Sequence, residues 1–155
     1  MNDTTVSLRA ITAETVRAVT SLQVGEDQER FVATNAVSLA QALFSPEAWY
    51  RAVYVGDEPA GFVMLRDETL GATPSSNPKV SVWRFMIDAK FQGHGVGRAA
   101  LELVIAGLRE RQMFAVLELS YVPGLGCPEA FYRKLGFVPT GRVKGGEVEM
   151  SLPLD

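Results

Sequence analysis

The chemistry of this sequence concentrates in Gln92-Gly93-His94-Gly95-Val96-Gly97-Arg98-Ala99-Ala100. Alternating glycines let a backbone approach a ligand closely. The residues that follow have the apolar spacing of a helix, whose first N–H groups and positive dipole end favour phosphate oxygens. A diphosphate cradle is one reading; a glycine-rich turn that packs a strand on a helix is the other. No Gly-Lys-Ser/Thr follows, so a P-loop fails. Gly95-Val-Gly97-Arg-Ala-Ala100 also fits G-x-G-x-x-A, with Glu118 lying 21 residues after Gly97. That fingerprint opens a doubly wound domain at its first strand, however, whereas here four expected strands precede the loop and only 58 residues follow Gly97.

The elements that must position this loop can be read on either side of it. Val6, Leu8 and Ala10 alternate as a first strand, and Thr12 is expected to cap a helix with Val16, Val19 and Leu22 on one face. Asn35 is expected to cap a second helix carrying Leu39 and Leu43, ended by Ser45-Pro46. Residues 51–55 and 60–66 flank Gly56-Asp57-Glu58-Pro59 as a hairpin, and 79–88 is a fourth strand after a surface loop at 71–78. Leu101, Val104, Ile105 and Leu108 predict an amphipathic helix over 97–112. A strand at 115–122, a helix at 129–135 stopped by Gly136, and a hairpin of 137–143 with 147–152 about Lys144-Gly145-Gly146 complete the order. The sum is one α/β domain over residues 1–155, a mixed sheet of about seven strands with helices on both faces.

Gln92-x-x-Gly95-x-Gly97 after a strand ending Phe85-Met86-Ile87-Asp88, followed some forty residues on by Phe131-Tyr132-Arg133-Lys134-Leu135-Gly136-Phe137, resembles the GNAT N-acetyltransferase superfamily. The resemblance implies that the fourth and fifth strands splay apart around acetyl-CoA. It also implies that Met86 and Ile87 meet the acyl arm through their backbone, and that Gln92, Gly93, His94, Gly95, Val96, Gly97 and Arg98 hold the diphosphate. Tyr132 stands where the family places its general acid, and a phenol of ordinary pKa about 10 stays protonated near pH 7. One departure is Leu125, where many members carry asparagine. The stretch 25–35 together with Trp83-Arg84-Phe85-Met86-Ile87-Asp88 resembles the branch that acetylates spermine and spermidine. The acceptor is then a small-molecule amine, with Glu26, Asp27 and Glu29 attracting a polycation and Trp83 or Trp49 walling it by cation–π contact. An ammonium must lose a proton before it attacks, and Glu118, which alternation sets opposite Leu117 and Leu119, is a candidate base beside the early carboxylates.

Composition limits the alternatives. Lys and Arg total 15 against 18 Asp and Glu, a net charge of −3, without the basic footprint of a nucleic-acid binder. Cys127 is the only cysteine and His94 the only histidine, so neither a disulfide nor a multi-histidine metal site is expected. The absence of a long apolar run or a basic leader predicts no membrane partner and a cytoplasmic location. A chain of this size is compatible with a homodimer. Two function classes stay open: an enzyme, which the presence of Tyr132 favours, and an acyl-CoA binding module without turnover. Among enzymes, a protein N-terminus or lysine is the other acceptor.

Overall fold

The structure is a computed structural model describing residues 3–73 and 75–155. Seven strands form one open mixed sheet in the order β1-β2-β3-β4-β5-β7-β6. They are β1 (Val6–Arg9), β2 (Ala48–Val55), β3 (Glu58–Asp67), β4 (Val80–Ile87), β5 (Val116–Tyr121), β6 (Val138–Lys144) and β7 (Glu147–Pro153). The helices are α1 (Val16–Thr20), α2 (Asn35–Ala42), α3 (Val96–Arg111) and α4 (Glu129–Lys134), with a 3-10 helix over Glu26–Phe31 between α1 and α2.

Two apolar cores lie on opposite faces of the sheet. On one face α3 buries Val96, Ala100, Leu101, Val104, Ile105 and Leu108 against Val63, Leu65, Leu117, Leu119 and Met150, and α4 adds Tyr132. On the other, Val19 of α1 and flanking residues of α2 cover Phe62, Met64 and Met86. Alternation along β3 divides its side chains between the two layers: Val63 and Leu65 face α3, Phe62 and Met64 face α1.

Both early helices are capped differently from the expectation. The backbone turns once at Thr12 before α1 begins, and Thr15 precedes the helix without a side-chain cap, so Thr12 is displaced by a turn. Thr34 caps α2 by accepting the Val37 N–H at 3.2 Å. Asn35 is instead the first helical residue, buried, with its amide donating to the Val19 carbonyl at 2.9 Å, which fastens α2 to α1. Leu43, expected within this helix, is 82% exposed because α2 ends before it.

The site depends most on a bulge in β4. Met64 pairs with Arg84 and Leu65 with Val82, leaving Trp83 as the extra residue. A bulge bends its strand and increases local twist. Parallel pairing of β4 with β5 ends just before it: Val80 opposes Leu117, Ser81 opposes Glu118, and no later pair forms. Beyond Ser81 the strands diverge into a V.

Candidate functional site

The V opens into a cleft of about 1610 Å³, lined by Met86 and Ile87 from β4, Leu119 and Tyr121 from β5, and Phe131 and Tyr132 from α4. That is larger than the roughly 300–1,000 Å³ of most small-ligand sites and suits a long ligand plus a second reactant.

The glycine loop forms one mouth. Gly95 stands immediately before α3 with φ 78°, a left-handed conformation that disfavours other residues, and no side chain caps the helix there. A Cβ placed on Gly93 or Gly95 would meet nothing within 4 Å, so the space over the loop is open, whereas at Gly97 it would touch Ile87 and Phe131 at 3.4 Å. Open space in front of uncapped helix N–H groups is what an anionic diphosphate requires. His94 is exposed at the tip with Nδ1 3.4 Å from the Phe91 carbonyl, and Arg98 pairs with Glu102 along the helix surface at 2.9 Å. Gln92 turns its amide inward, donating to the Ile87 carbonyl at 2.9 Å and to Gln28 Oε1 at 2.8 Å. The loop is thereby tied both to the end of β4 and to the 3-10 helix across the cleft. A second tie joins the same regions, since Asp88 accepts the Gln23 N–H at 3.0 Å.

Tyr132 lines the cleft although only 7% exposed, packed between Phe131 at 5.4 Å and Phe137 at 5.8 Å between ring centroids. Burial pushes its phenol up to about 12, because the phenolate would lose its hydration there. Tyr121, which the sequence reading did not single out, lines the same cleft, where burial and the nearby Glu129 carboxylate push its phenol above the ordinary value. Cys127 is a free, half-buried thiol on the wall, whereas Leu125, 90% exposed, lines a separate depression beside it.

Glu118 lies at the floor, where β4 and β5 part. Its interaction with the neighbouring Glu149 carboxyl, together with partial burial, raises its pKa above the usual carboxylate range. Arg142 Nε and Nη2 reach the two oxygens of Glu149 at 2.6 and 2.7 Å and hold that carboxyl down to about 2. The pair was missed in sequence, yet a signal existed: a tight turn about Gly145-Gly146 sets Lys144 against Glu147 and Val143 against Val148, which brings the next residue, Arg142, within reach of Glu149.

The proposed acceptor residues are not gathered in one place. Glu29 lines the cleft, whereas Glu26 and Asp27 line a separate shallow depression that shares Glu29 with it. Trp83 lines the cleft, but Arg66 and Arg84 already stand over its ring at 4.5 and 5.9 Å, and Arg51 stands 4.6 Å over Trp49. The protein's own guanidinium groups thus occupy the aromatic faces expected to receive an amine. The bulge explains the crowding, because it puts Trp83 and Arg84 on one side of the sheet. Among the described residues no group of three or more His, Cys, Asp or Glu is arranged to hold a metal ion.

With this geometry in place, the sequence profile of the Acetyltransferase (GNAT) family matches residues 16–137, spanning the glycine loop, β5 and α4. The chain belongs to the GNAT family. It is an acetyl-CoA-dependent N-acetyltransferase, and the curated relatives it resembles are named N-acetyltransferases. It is 26% identical over 142 residues to the spermine/spermidine N(1)-acetyltransferase of Bacillus subtilis, covering 89% of this chain and 91% of that protein. Its fold matches the GNAT domain of S. lividans PAT with a TM-score of 0.70 at 21% identity, covering 96% of this chain and 89% of that one. A putative GNAT acetyltransferase from Desulfovibrio desulfuricans matches with the same TM-score of 0.70 at 15% identity, over 97% and 100% of the two chains. This GNAT chain has no helix long and apolar enough to cross a membrane among the described residues.

Proposed function

We propose that this N-acetyltransferase transfers acetyl to a primary amine of a linear polyamine such as spermidine or spermine, with Glu118 as base and Tyr132 as the hydrogen-bond donor to the departing sulfur. One observation carries the assignment of roles: Glu118 and Tyr132 line a single cleft whose mouth is the open glycine loop. The loop residues Gln92–Arg98 hold the diphosphate, chiefly through backbone N–H groups, because the Gln92 amide is engaged inward and the Arg98 side chain with Glu102. Met86 and Ile87 border the acyl arm along β4.

The chemistry divides between the two walls. Glu118 removes a proton from the ammonium, whose freed lone pair attacks the thioester carbonyl. As the tetrahedral adduct collapses, the C–S bond breaks and sulfur gains charge. A phenol at about 12 stays neutral and donates a hydrogen bond to that sulfur. Full proton transfer from so weak an acid to a thiolate of pKa near 8.5 runs uphill. The phenol therefore stabilises the developing charge, and the net proton comes from the amide nitrogen as it loses its own.

Support for a polyamine comes from the Bacillus subtilis relative and from carboxylates running from the floor (Glu118, Glu149) through Glu29 to Glu26 and Asp27 at the rim. A cation with several spaced charges is best located by several spaced carboxylates. Arg66, Lys79, Arg84 and Lys144 on the same walls favour a second reading, an acceptor that carries a carboxylate beside its amine, such as a peptide N-terminus. CoA release measured over polyamines, amino acids, peptides and aminoglycosides separates the two. Turnover with spermidine well above that with peptides is expected, and turnover with peptides but not with polyamines would transfer the assignment to the second reading.

A further inference from the structure

Glu118 from β5, Arg142 from β6 and Glu149 from β7 form a cluster on the sheet face opposite α3. Their strand neighbours Leu117, Leu119, Val148 and Met150 belong to the α3 core, so alternation directs these three the other way. Arg142 grips Glu149 with two nitrogens at 2.6 and 2.7 Å and touches Glu118 Oε2 with one of them at 3.3 Å. Glu118 opposes Ser151 and Ser120 opposes Glu149 across β5 and β7, so the two carboxyl groups are diagonal neighbours on that face, bridged by Arg142. Two carboxylates this close repel, so a proton that enters the pair is retained by one of them. A two-point guanidinium fork favours an anion on Glu149, so the proton belongs to Glu118.

We propose that Glu149, clamped by Arg142, is a positioning residue that accepts the hydrogen bond of Glu118 once Glu118 has taken the proton of the acceptor's ammonium. The inference rests on Glu118 being the base. In the step, the ammonium N–H bond breaks with its electron pair staying on nitrogen, the proton goes to a Glu118 oxygen, and the new acid O–H points at the Glu149 carboxylate. The proton later leaves to water. A carboxylate is a poor base for an ammonium, and each pKa unit by which Glu118 is raised makes the transfer tenfold less unfavourable. The raised pKa of Glu118 and the lowered one of Glu149 agree with this division of labour. The charges that act on Glu118 are Glu149 from β7, Arg142 from β6 and Lys79 ahead of β4, the last two opposing the first. Glu147, Lys144 and Glu68 line the cleft around them.

The test uses opposite signs. In kcat/KM against pH, Glu149→Gln should lower the acid limb by roughly one pH unit, because the anion that favours a protonated Glu118 is gone. Arg142→Gln should raise the limb by a similar amount, because the repulsion between the carboxylates is then unscreened. Acetyl-CoA KM should stay within about twofold in both. A residue that only props the fold would shift both limbs the same way or neither. Carboxyl NMR of the whole protein with ¹³C-labelled glutamate, with Glu118 assigned by Glu118→Gln, reads the same two shifts without turnover. Unmoved midpoints, or midpoints moving together, overturn the proposal while leaving Glu118 as base if Glu118→Gln removes the acid limb. Midpoints that move as stated beside an unmoved limb overturn both, because Glu118 then titrates without serving the reaction.

Discussion

Tyr132 shows how one buried phenol joins stability to chemistry. Its ring contributes to the α3 core between Phe131 and Phe137, while the residue also borders the cleft. Tyr132→Phe removes one hydroxyl and leaves the packing nearly intact. Under conditions where chemistry limits turnover, kcat should fall by roughly 10²–10⁴-fold with acetyl-CoA KM little changed. A variant turning over like the wild type would place stabilisation of the departing sulfur on another group, with Tyr121 the other phenol lining the cleft. The same substitution has a thermodynamic signature. With its folded pKa near 12 against about 10 when unfolded, the native state keeps a proton that the unfolded state releases, so stability from this group is full below pH 10 and lost as pH rises toward 12. That loss is about 3 kcal/mol by linkage. Denaturant unfolding of wild type and Tyr132→Phe between pH 9 and 12 should show the wild type losing its extra stability and the variant lacking that component.

At the scale of elements, the glycine loop and α3 act as one unit, because Gly95 sets the direction in which the first helical N–H groups point. Gly95→Asn and Gly95→Asp separate shape from charge. Both bear the same burden at φ 78°, which asparagine and aspartate tolerate better than most residues, but only aspartate adds a negative charge where a diphosphate would bind. Calorimetry with CoA should find Gly95→Asp weaker than Gly95→Asn by about tenfold at low salt, the gap narrowing as salt rises. Equal losses would mean the loop serves packing alone. This loop was legible in sequence because glycine spacing and helical periodicity are local properties, and so were the hairpins and all seven strands in their order. The bulge at Trp83 was not, since alternation through residues 79–88 fits an unbroken strand and only pairing with β3 exposes the extra residue. The same blindness explains Trp83, whose ring was expected to receive an amine and is covered by Arg66 from a strand 17 residues away in sequence. The 3-10 helix over Glu26–Phe31 likewise has too short a period to read, so Glu26, Asp27 and Glu29 could be grouped in sequence but not divided between rim and cleft.

Over the whole molecule, the sheet consists of two parts, β1–β4 and β5–β7, joined directly, among the described residues, by the pairs Val80 with Leu117 and Ser81 with Glu118. What holds the parts together beyond those pairs is α3 and the apolar layer beneath it. A ligand lying in the V touches both parts and supplies cohesion that the missing strand pairs do not. Acetyl-CoA at about one hundred times its Kd should therefore stabilise the protein by about 2.7 kcal/mol, roughly 5–10 °C in Tm for a chain of this length. NADH and ATP should give no comparable rise, because they bring a diphosphate without the pantetheine arm that spans the V. Location matters as much as size. Hydrogen exchange should slow on both walls together, over residues 82–87 of β4 and 119–121 of β5, as well as at the amides of the loop before α3. Protection confined to the loop would mean that the diphosphate binds while the arm stays outside, and equal stabilisation by NADH would mean that the loop alone accounts for binding. Protection of both walls by acetyl-CoA, and of the loop alone by ATP, is the outcome this architecture requires.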